Sequence, residues 1–336
     1  MELDRVASDI VLASIRGAVP SRWSAKVEEL RSLAKGAAAF PLADFLEKSG
    51  LELEDIYAGD KSWSDLCEGA GLPVRPAGPR EESLRRACGR LLHIDDQRRI
   101  DAYQRLLQPQ MAPEPRTLSV SDRRVLRMIV ATIVDKAVSK SVSLEEGCAL
   151  LWAHPQVRAE VLALLDVLGN RVTHVPAALS SHPEVPLAVH ARYTRIEILA
   201  AFGVREGAKV AAWQGGVYWA KEARADLLAF TLDKTSGHFS PTTRYRDYAI
   251  SRDLIHWQSQ WATRADSETG QRYQHHGQHG SSVMLFARLR SDDRAFYFLG
   301  PANYMRHESE LPMSVTWRLA HPLPGDLFAS FAAAVA

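Results

Sequence analysis

The densest run of side chains able to do chemistry lies between residues 231 and 260. Thr231, Asp233 and Lys234 lead into His238, Phe239, Arg244, Tyr245, Arg246, Asp247 and Tyr248, and then into His256, Trp257, Gln258, Ser259 and Gln260. Such a stretch carries cations for phosphate, planar rings for stacking, and amide, hydroxyl and carboxylate groups able to read a base edge. The same residue types also build ordinary strand faces, where arginine lies over an aromatic ring. Composition alone leaves a base-binding pocket and plain packing both open.

A second cluster is His275, His276 and His279. Imidazoles at that density could bind zinc, but no cysteine lies nearby, and Gly277 and Gly280 point to an exposed loop between strands. A loop is the expectation; a histidine facing phosphate or base is the main alternative, and a metal-dependent nuclease site is the enzymatic one. The sequence holds no Gly-x-x-x-x-Gly-Lys-Ser/Thr, no Gly-x-Ser-x-Gly and no His-Glu-x-x-His, so nucleotide hydrolysis by a phosphate loop, acyl transfer from a nucleophile elbow and zinc proteolysis all lack their motifs. Cys67, Cys88 and Cys148 are too few and too far apart for a disulfide framework or a zinc knuckle, and are expected to be buried thiols in a reducing compartment. No cofactor and no metal is expected.

Charge sets a further bound. Over 336 residues the formal net charge is +1, so any contact with nucleic acid must be local rather than global. From Leu187 onward the chain carries 17 Lys+Arg against 14 Asp+Glu, which makes the second half the better candidate for meeting phosphate. The opening residues lack the features of a signal peptide, and no stretch approaches the ~18 apolar residues of a membrane span. A cytoplasmic protein with no membrane partner is expected.

These side chains must be positioned by two kinds of structure. From residue 22 to 168 the apolar positions recur at three and four: Trp23, Val27, Leu30 and Leu33; Leu84, Ala87 and Leu91; Leu126, Ile129, Ile133 and Val134. Ser143 with Glu146 forms a capping-box signature, and Pro155 suits a first helical turn. About seven to nine mostly short helices are predicted. Two of them, 40–46 and 62–67, ending at Gly50 and Gly69, could be halves of a helix-turn-helix, although simple antiparallel packing is the commoner outcome. Proline-flanked breaks fall at 109–115 and 174–189. After Tyr193 a short helix capped by Thr194 leads into strands predicted over 209–213, 216–220, 226–232, 256–261, 282–288, 295–299 and 313–319. The expected fold class is α+β: a helical domain over 1–186, then a β-barrel-like domain over 187–336.

The second half also resembles a known family. The strings Tyr193-Thr194-Arg195-x-Glu197-Ile198-Leu199, Phe239-Ser240-Pro241-Thr242-Thr243-x-Tyr245-Arg246-Asp247-Tyr248-Ala249-Ile250-Ser251, His256-Trp257-Gln258-Ser259-Gln260, Thr269-Gly270-Gln271-Arg272-Tyr273, Phe298-Leu299-Gly300-Pro301-Ala302 and Pro312-Met313-Ser314-x-Thr316-Trp317-Arg318-Leu319 look like domain of unknown function 3427. Residues 51–57 with Ser62-Trp63 resemble the helical segment that precedes it. The resemblance implies the C-terminal part of bacterial DEAD/DEAH-box helicases, many with a phospholipase-D-like nuclease, in type IV, modification-dependent restriction and phage defence. It further implies an SRA/PUA-like reader of double-stranded DNA that flips 5-methylcytosine or 5-hydroxymethylcytosine into a pocket.

On that expectation Tyr218, Phe239, Tyr245, Tyr248 and Trp257 stack on the base. Asp247, His256 and Gln258 read its edge, and Lys234, Arg244, Arg246 and Arg272 hold backbone phosphates. The chain lacks helicase motifs and the His-x-Lys nuclease signature, so it is expected not to be an enzyme itself, with cleavage and translocation supplied by a helicase-nuclease partner. The alternative is a docking or regulatory module that never touches a base.

Overall fold

The computed structural model describes residues 22–138, 142–173, 175–205, 207–208, 210–232 and 247–335. Among the described residues the chain opens with the α-helices α1 (Trp23–Leu33), α2 (Leu42–Ser49), α3 (Leu53–Ile56), α4 (Trp63–Ala70), α5 (Glu81–Cys88), α6 (Gln97–Leu107), α7 (Val120–Val134), α8 (Leu144–Trp152) and α9 (Pro155–Gly169). Their starts follow from side chains that accept the first free backbone N–H groups: Ser62 for α4, Asp96 for α6, Ser119 for α7 and Ser143 for α8. Ser143 and Glu146 cap each other reciprocally, and Pro155 opens α9.

Gly50 and Gly71 close α2 and α4 in the left-handed conformation, with φ of 70° and 82°. Gly69, predicted as the end of α4, instead sits inside it: a Cβ there would meet Val27 at 3.0 Å, so its bare Cα lets α1 approach. The pieces 40–46 and 62–67 pack against each other through Phe45 and Trp63, whose ring centroids are 5.4 Å apart. The N-terminus of α4 is held by a buried acid, Glu160 of α9. It accepts from the backbone N–H groups of Trp63 and Ser64 at 3.0 Å each, and burial pushes its carboxyl above the usual range.

The described residues then form ten strands: β1 (Ala177–Ala178), β2 (Ala188–Val189), β3 (Arg192–Thr194), β4 (Val217–Ala220), β5 (Ala225–Thr231), β6 (Tyr248–Ala249), β7 (Leu254–Gln258), β8 (Ser282–Arg288), β9 (Ala295–Glu308) and β10 (Ser314–Leu319). The remaining helices are α10 (Arg195–Ala201), α11 (Glu268–His275) and α12 (Gly325–Val335). β1 and β2 form a small pair. The other eight strands make one sheet of order β4-β5-β8-β9-β10-β7-β6, with β3 also on β9.

The fold is therefore α+β, but the sheet does not close into the expected barrel. Among the described residues β4 pairs only with β5 and β6 only with β7, so both ends of the order stay open. β5 and β8 run parallel, which needs a long crossover rather than a hairpin, and strand alternation in sequence cannot reveal that. Residues 210–213, part of a predicted strand, are irregular, whereas β9 runs to Glu308, nine residues past its predicted end. Lys209 lies outside the described residues.

The alternation of strands that are buried on both sides divides the interior. Leu227 and Ala229 of β5, Met284 and Phe286 of β8, and Phe296 and Phe298 of β9 join the helices in one continuous core. Leu228, Phe230, Val283, Leu285 and Leu299 point to the other face and form a second core with Tyr273 of α11 and Leu327 and Phe331 of α12. Trp257, Tyr273 and Trp317 form its aromatic centre, with centroids 5.7 to 6.3 Å apart. No helix among the described residues is long and apolar enough to cross a membrane.

Candidate functional site

The two open ends of the sheet face one another across a cleft of about 630 Å³. Val217 of β4 and Ala229, Phe230 and Thr231 of β5 line one side, and Asp247, Trp257 and Gln258 line the other. The sheet thus curls far enough to bring both ends to one cleft, and among the described residues β4 and β6 are not paired with each other. The size is that of a small-molecule or nucleotide site. Phe230 and Trp257 supply apolar wall, while Gln214, Gln258 and Gln260 supply amides and Trp261 stands at the mouth, 69% exposed.

Two guanidinium groups enter the cleft. Arg195 donates through Nη1 to the Trp213 carbonyl at 3.2 Å and through Nη2 to the Gly215 carbonyl at 3.1 Å. Arg288 donates to the Thr231 hydroxyl at 2.9 Å and the Asp293 carbonyl at 2.6 Å. Both lie over the Phe296 ring, at 5.4 and 4.8 Å from its centroid. Burial lowers the pKa of each, and Arg288 lowers that of Arg195 further, yet among the described residues neither forms a salt bridge with a carboxylate. Two partly desolvated like charges held together by neutral acceptors make a place where an anion is favoured.

Arg195 is placed by the start of α10. Thr194 caps this helix, and Glu197 returns the favour to the Thr194 N–H at 2.8 Å. The fully buried Glu197 carboxylate also accepts from His93 at 2.6 Å, Arg99 at 3.0 Å and the Tyr103 hydroxyl at 3.2 Å. Burial alone would raise this acid; His93 and Arg99 overcome it and hold it at about 2. Next to it the Tyr193 hydroxyl donates to Asp96 at 3.1 Å. The segment 193–197 is thereby bolted to α6, and Arg195 leaves that anchorage towards the cleft.

Of the residues singled out in the sequence, Asp247, Trp257 and Gln258 come together in the cleft. Asp247 is buried, and its Oδ1 accepts from the Gln258 backbone N–H at 2.9 Å. Gln258 donates through its amide to the Ser314 hydroxyl at 3.2 Å. Trp257 shows a wall to the cleft but is only 3% exposed, because its alternate position on β7 turns most of the ring into the second core. Tyr248 and His256, register partners across β6 and β7, stack at 4.7 Å on the neighbouring edge. Tyr218 packs half-buried against Trp213 and does not line the cleft.

Arg272 is engaged elsewhere. Its guanidinium forms a bidentate pair with buried Asp226, at 2.6 and 2.9 Å, and lies over Trp219 at 4.2 Å. The rest of its motif is also structural: a Cβ on Gly270 would come within 2.0 Å of the Arg264 carbonyl, and Tyr273 is core. Phe239, Tyr245, Lys234, Arg244 and Arg246 lie outside the described residues. His275 ends α11 and His276 meets the Tyr273 carbonyl; among the described residues no group of three or more His, Cys, Asp or Glu could hold a metal ion.

The sequence reading missed Arg195, Gln214, Gln260, Trp261 and Arg288 as lining residues. Arg195 and Gln260 stood inside quoted strings, and Trp261 directly follows one. Arg288 carried no local signal, since it reaches the cleft only through the parallel pairing of β8 with β5.

Fold and site together define an α+β protein whose open sheet carries an arginine- and aromatic-lined cleft. Residues 187–331 match the family model described as Domain of unknown function (DUF3427). No curated protein matches the chain.

Proposed function

We propose that the cleft receives a modified cytosine extruded from duplex DNA, 5-methylcytosine or 5-hydroxymethylcytosine, and that the chain is the target-recognition part of a type IV restriction system. The observation that carries this reading is the exposed Trp261 in one cleft of nucleotide size with two guanidinium groups that, among the described residues, form no salt bridge with a carboxylate. A flipped base needs a ring to stack on, an acceptor for the cytosine N4 amino group, donors for N3 and O2, and cations for the strained backbone. Trp261 supplies the ring, Asp247 the acceptor, the glutamine amides the donors, and Arg195 with Arg288 the cations. On this reading the chain performs no bond cleavage, and a DEAD/DEAH-box helicase and a phospholipase-D-like nuclease supply translocation and scission.

The test is fluorescence anisotropy with three duplexes identical except for one cytosine, 5-methylcytosine or 5-hydroxymethylcytosine. Tighter binding of one modified duplex is expected; equal affinity for all three across several salt concentrations overturns the reading. One feature favours a second reading, a docking module. The register of β7 on β10 sets Trp261 and Leu311 beyond the same strand ends, and Leu311 is 53% exposed, so an apolar rim exists that a helicase surface could cover. Equal affinity in the duplex test is the outcome that this alternative expects.

A further inference from the structure

Thr231 ends β5 on one wall of the cleft, and Arg288 ends β8 as its register partner across the parallel pair. Nε of Arg288 donates to the Thr231 hydroxyl oxygen at 2.9 Å, while its Nη1 donates to the Asp293 carbonyl at 2.6 Å. The Phe296 ring lies against the same guanidinium, with its centroid 4.8 Å away. The hydroxyl is thus fixed by a group that is itself fixed twice.

A guanidinium can only donate, so the side of the Thr231 oxygen that faces Arg288 is taken and the hydroxyl proton must turn away from it. Thr231 is buried, and among the described residues no acceptor meets that proton. Val217, Ala229 and Phe230, which share its wall, carry apolar side chains. Branching at Cβ leaves threonine few side-chain rotamers, so the hydroxyl cannot easily swing to another partner. A buried donor without an acceptor is costly, and a ligand that brings an acceptor removes the cost.

We infer that the cleft selects 5-hydroxymethylcytosine over 5-methylcytosine, and that the Thr231 hydroxyl makes the choice by donating to the hydroxymethyl oxygen. The inference rests on the proposed base reading and adds to it the identity of the base. Cytosine carries its amino group on C4 and the modification on C5, on diverging bonds of one ring edge. Asp247 and Thr231 stand on opposite sides of the cleft, so each substituent has a partner of its own. A methyl group at C5 would leave the threonine proton buried with nothing to accept it. The two modified bases differ little in bulk, and a site discriminates far better by a hydrogen bond made or missed than by so small a difference in size.

The test uses the full chain and three duplexes identical except for one cytosine, 5-methylcytosine or 5-hydroxymethylcytosine, with affinities read by anisotropy at one salt concentration. The wild type is expected to bind the 5-hydroxymethylcytosine duplex about tenfold more tightly than the 5-methylcytosine duplex. T231V exchanges the hydroxyl for a methyl group of nearly the same shape and should bring the two modified duplexes within about twofold of each other. T231S keeps the donor and should keep the preference. The wild-type ranking needs no variant, so it decides the matter even if T231V fails to fold. A wild type that binds both modified duplexes equally, yet more tightly than the unmodified one, overturns this inference and leaves base reading intact, as does a preference for 5-methylcytosine. A folded T231V that keeps the whole preference, or a T231S that loses it, removes Thr231 as the selecting group. Equal wild-type affinity for all three duplexes is the failure of base reading itself and takes this inference with it.

Discussion

Arg195 and Glu197 stand two residues apart on the same seven-residue helix, and their surroundings are opposites. Glu197 is fully buried and meets a histidine, an arginine, a tyrosine and its own cap residue. Arg195 is partly open and rests on two carbonyl oxygens and two aromatic faces beside another arginine. A charge whose opposite is supplied within the chain holds the fold, and a charge left without one is a place for something from outside. Both residues belong to one family-like string, so their spacing alone could not have told the two roles apart.

The largest effect that would sharpen this contrast is expected at Glu197. Glu197→Ala leaves Arg99 and His93 buried without their carboxylate and should cost about 3–5 kcal/mol in chemical denaturation. If Arg195→Ala destabilises the protein as much, the division between the two residues is wrong.

Acid gives a second probe of the same group. The folded protein holds Glu197 at about 2, below its ordinary value of 4.5, so folding favours its ionised form. The stabilisation is complete above pH 4.5 and is lost as pH falls towards 2, an effect of about 3 kcal/mol. Denaturation of the wild type and Glu197→Gln between pH 6 and 2.5 should show the gap between them narrowing over that window. A constant gap removes the ion-pair account.

Arg272 tests the contrast from the other half of the molecule. Because its fork is spent on Asp226, Arg272→Ala should cost about 2–3 kcal/mol of stability. The salt slope of DNA binding should stay as it was. A lower slope at full stability would return Arg272 to phosphate contact.

The smallest expected effect on the fold belongs to Trp261. Trp261→Ala should leave stability within about 0.5 kcal/mol and weaken binding of the preferred duplex by about 1–3 kcal/mol in anisotropy. Loss of binding to every duplex equally would make the indole a general contact rather than a base platform.

Much of the helical half was legible. Three- and four-residue spacing, Ser143 with Glu146, and Pro155 are local signals with local causes, and the structure uses them as such. Several strand positions were legible too, because alternation is local, although 210–213 is irregular, β9 runs nine residues past its predicted end and the two-residue strands carried no alternation to read. Strand partners were not: nothing in 225–231 or 282–288 announces a parallel pair, and that pair carries Arg288 to the cleft. The choice between a ring that packs and a ring that faces solvent was equally hidden. Trp257 and Trp261 read alike in sequence, yet one is 3% exposed and the other 69%. The register of β7 against β10 decides that, and register is a property of the pair.

The single core running from the helices into the sheet has a practical meaning for anyone who would cut the chain at the family boundary. A fragment beginning at 187 would carry Met284, Phe286, Phe296 and Phe298 on a face stripped of its helical cover, and Glu197 without Arg99 or His93. Such a piece would bring to water both an oily surface and a stranded buried acid, and should clump rather than dissolve. The smallest useful reagent is the helices and the sheet together.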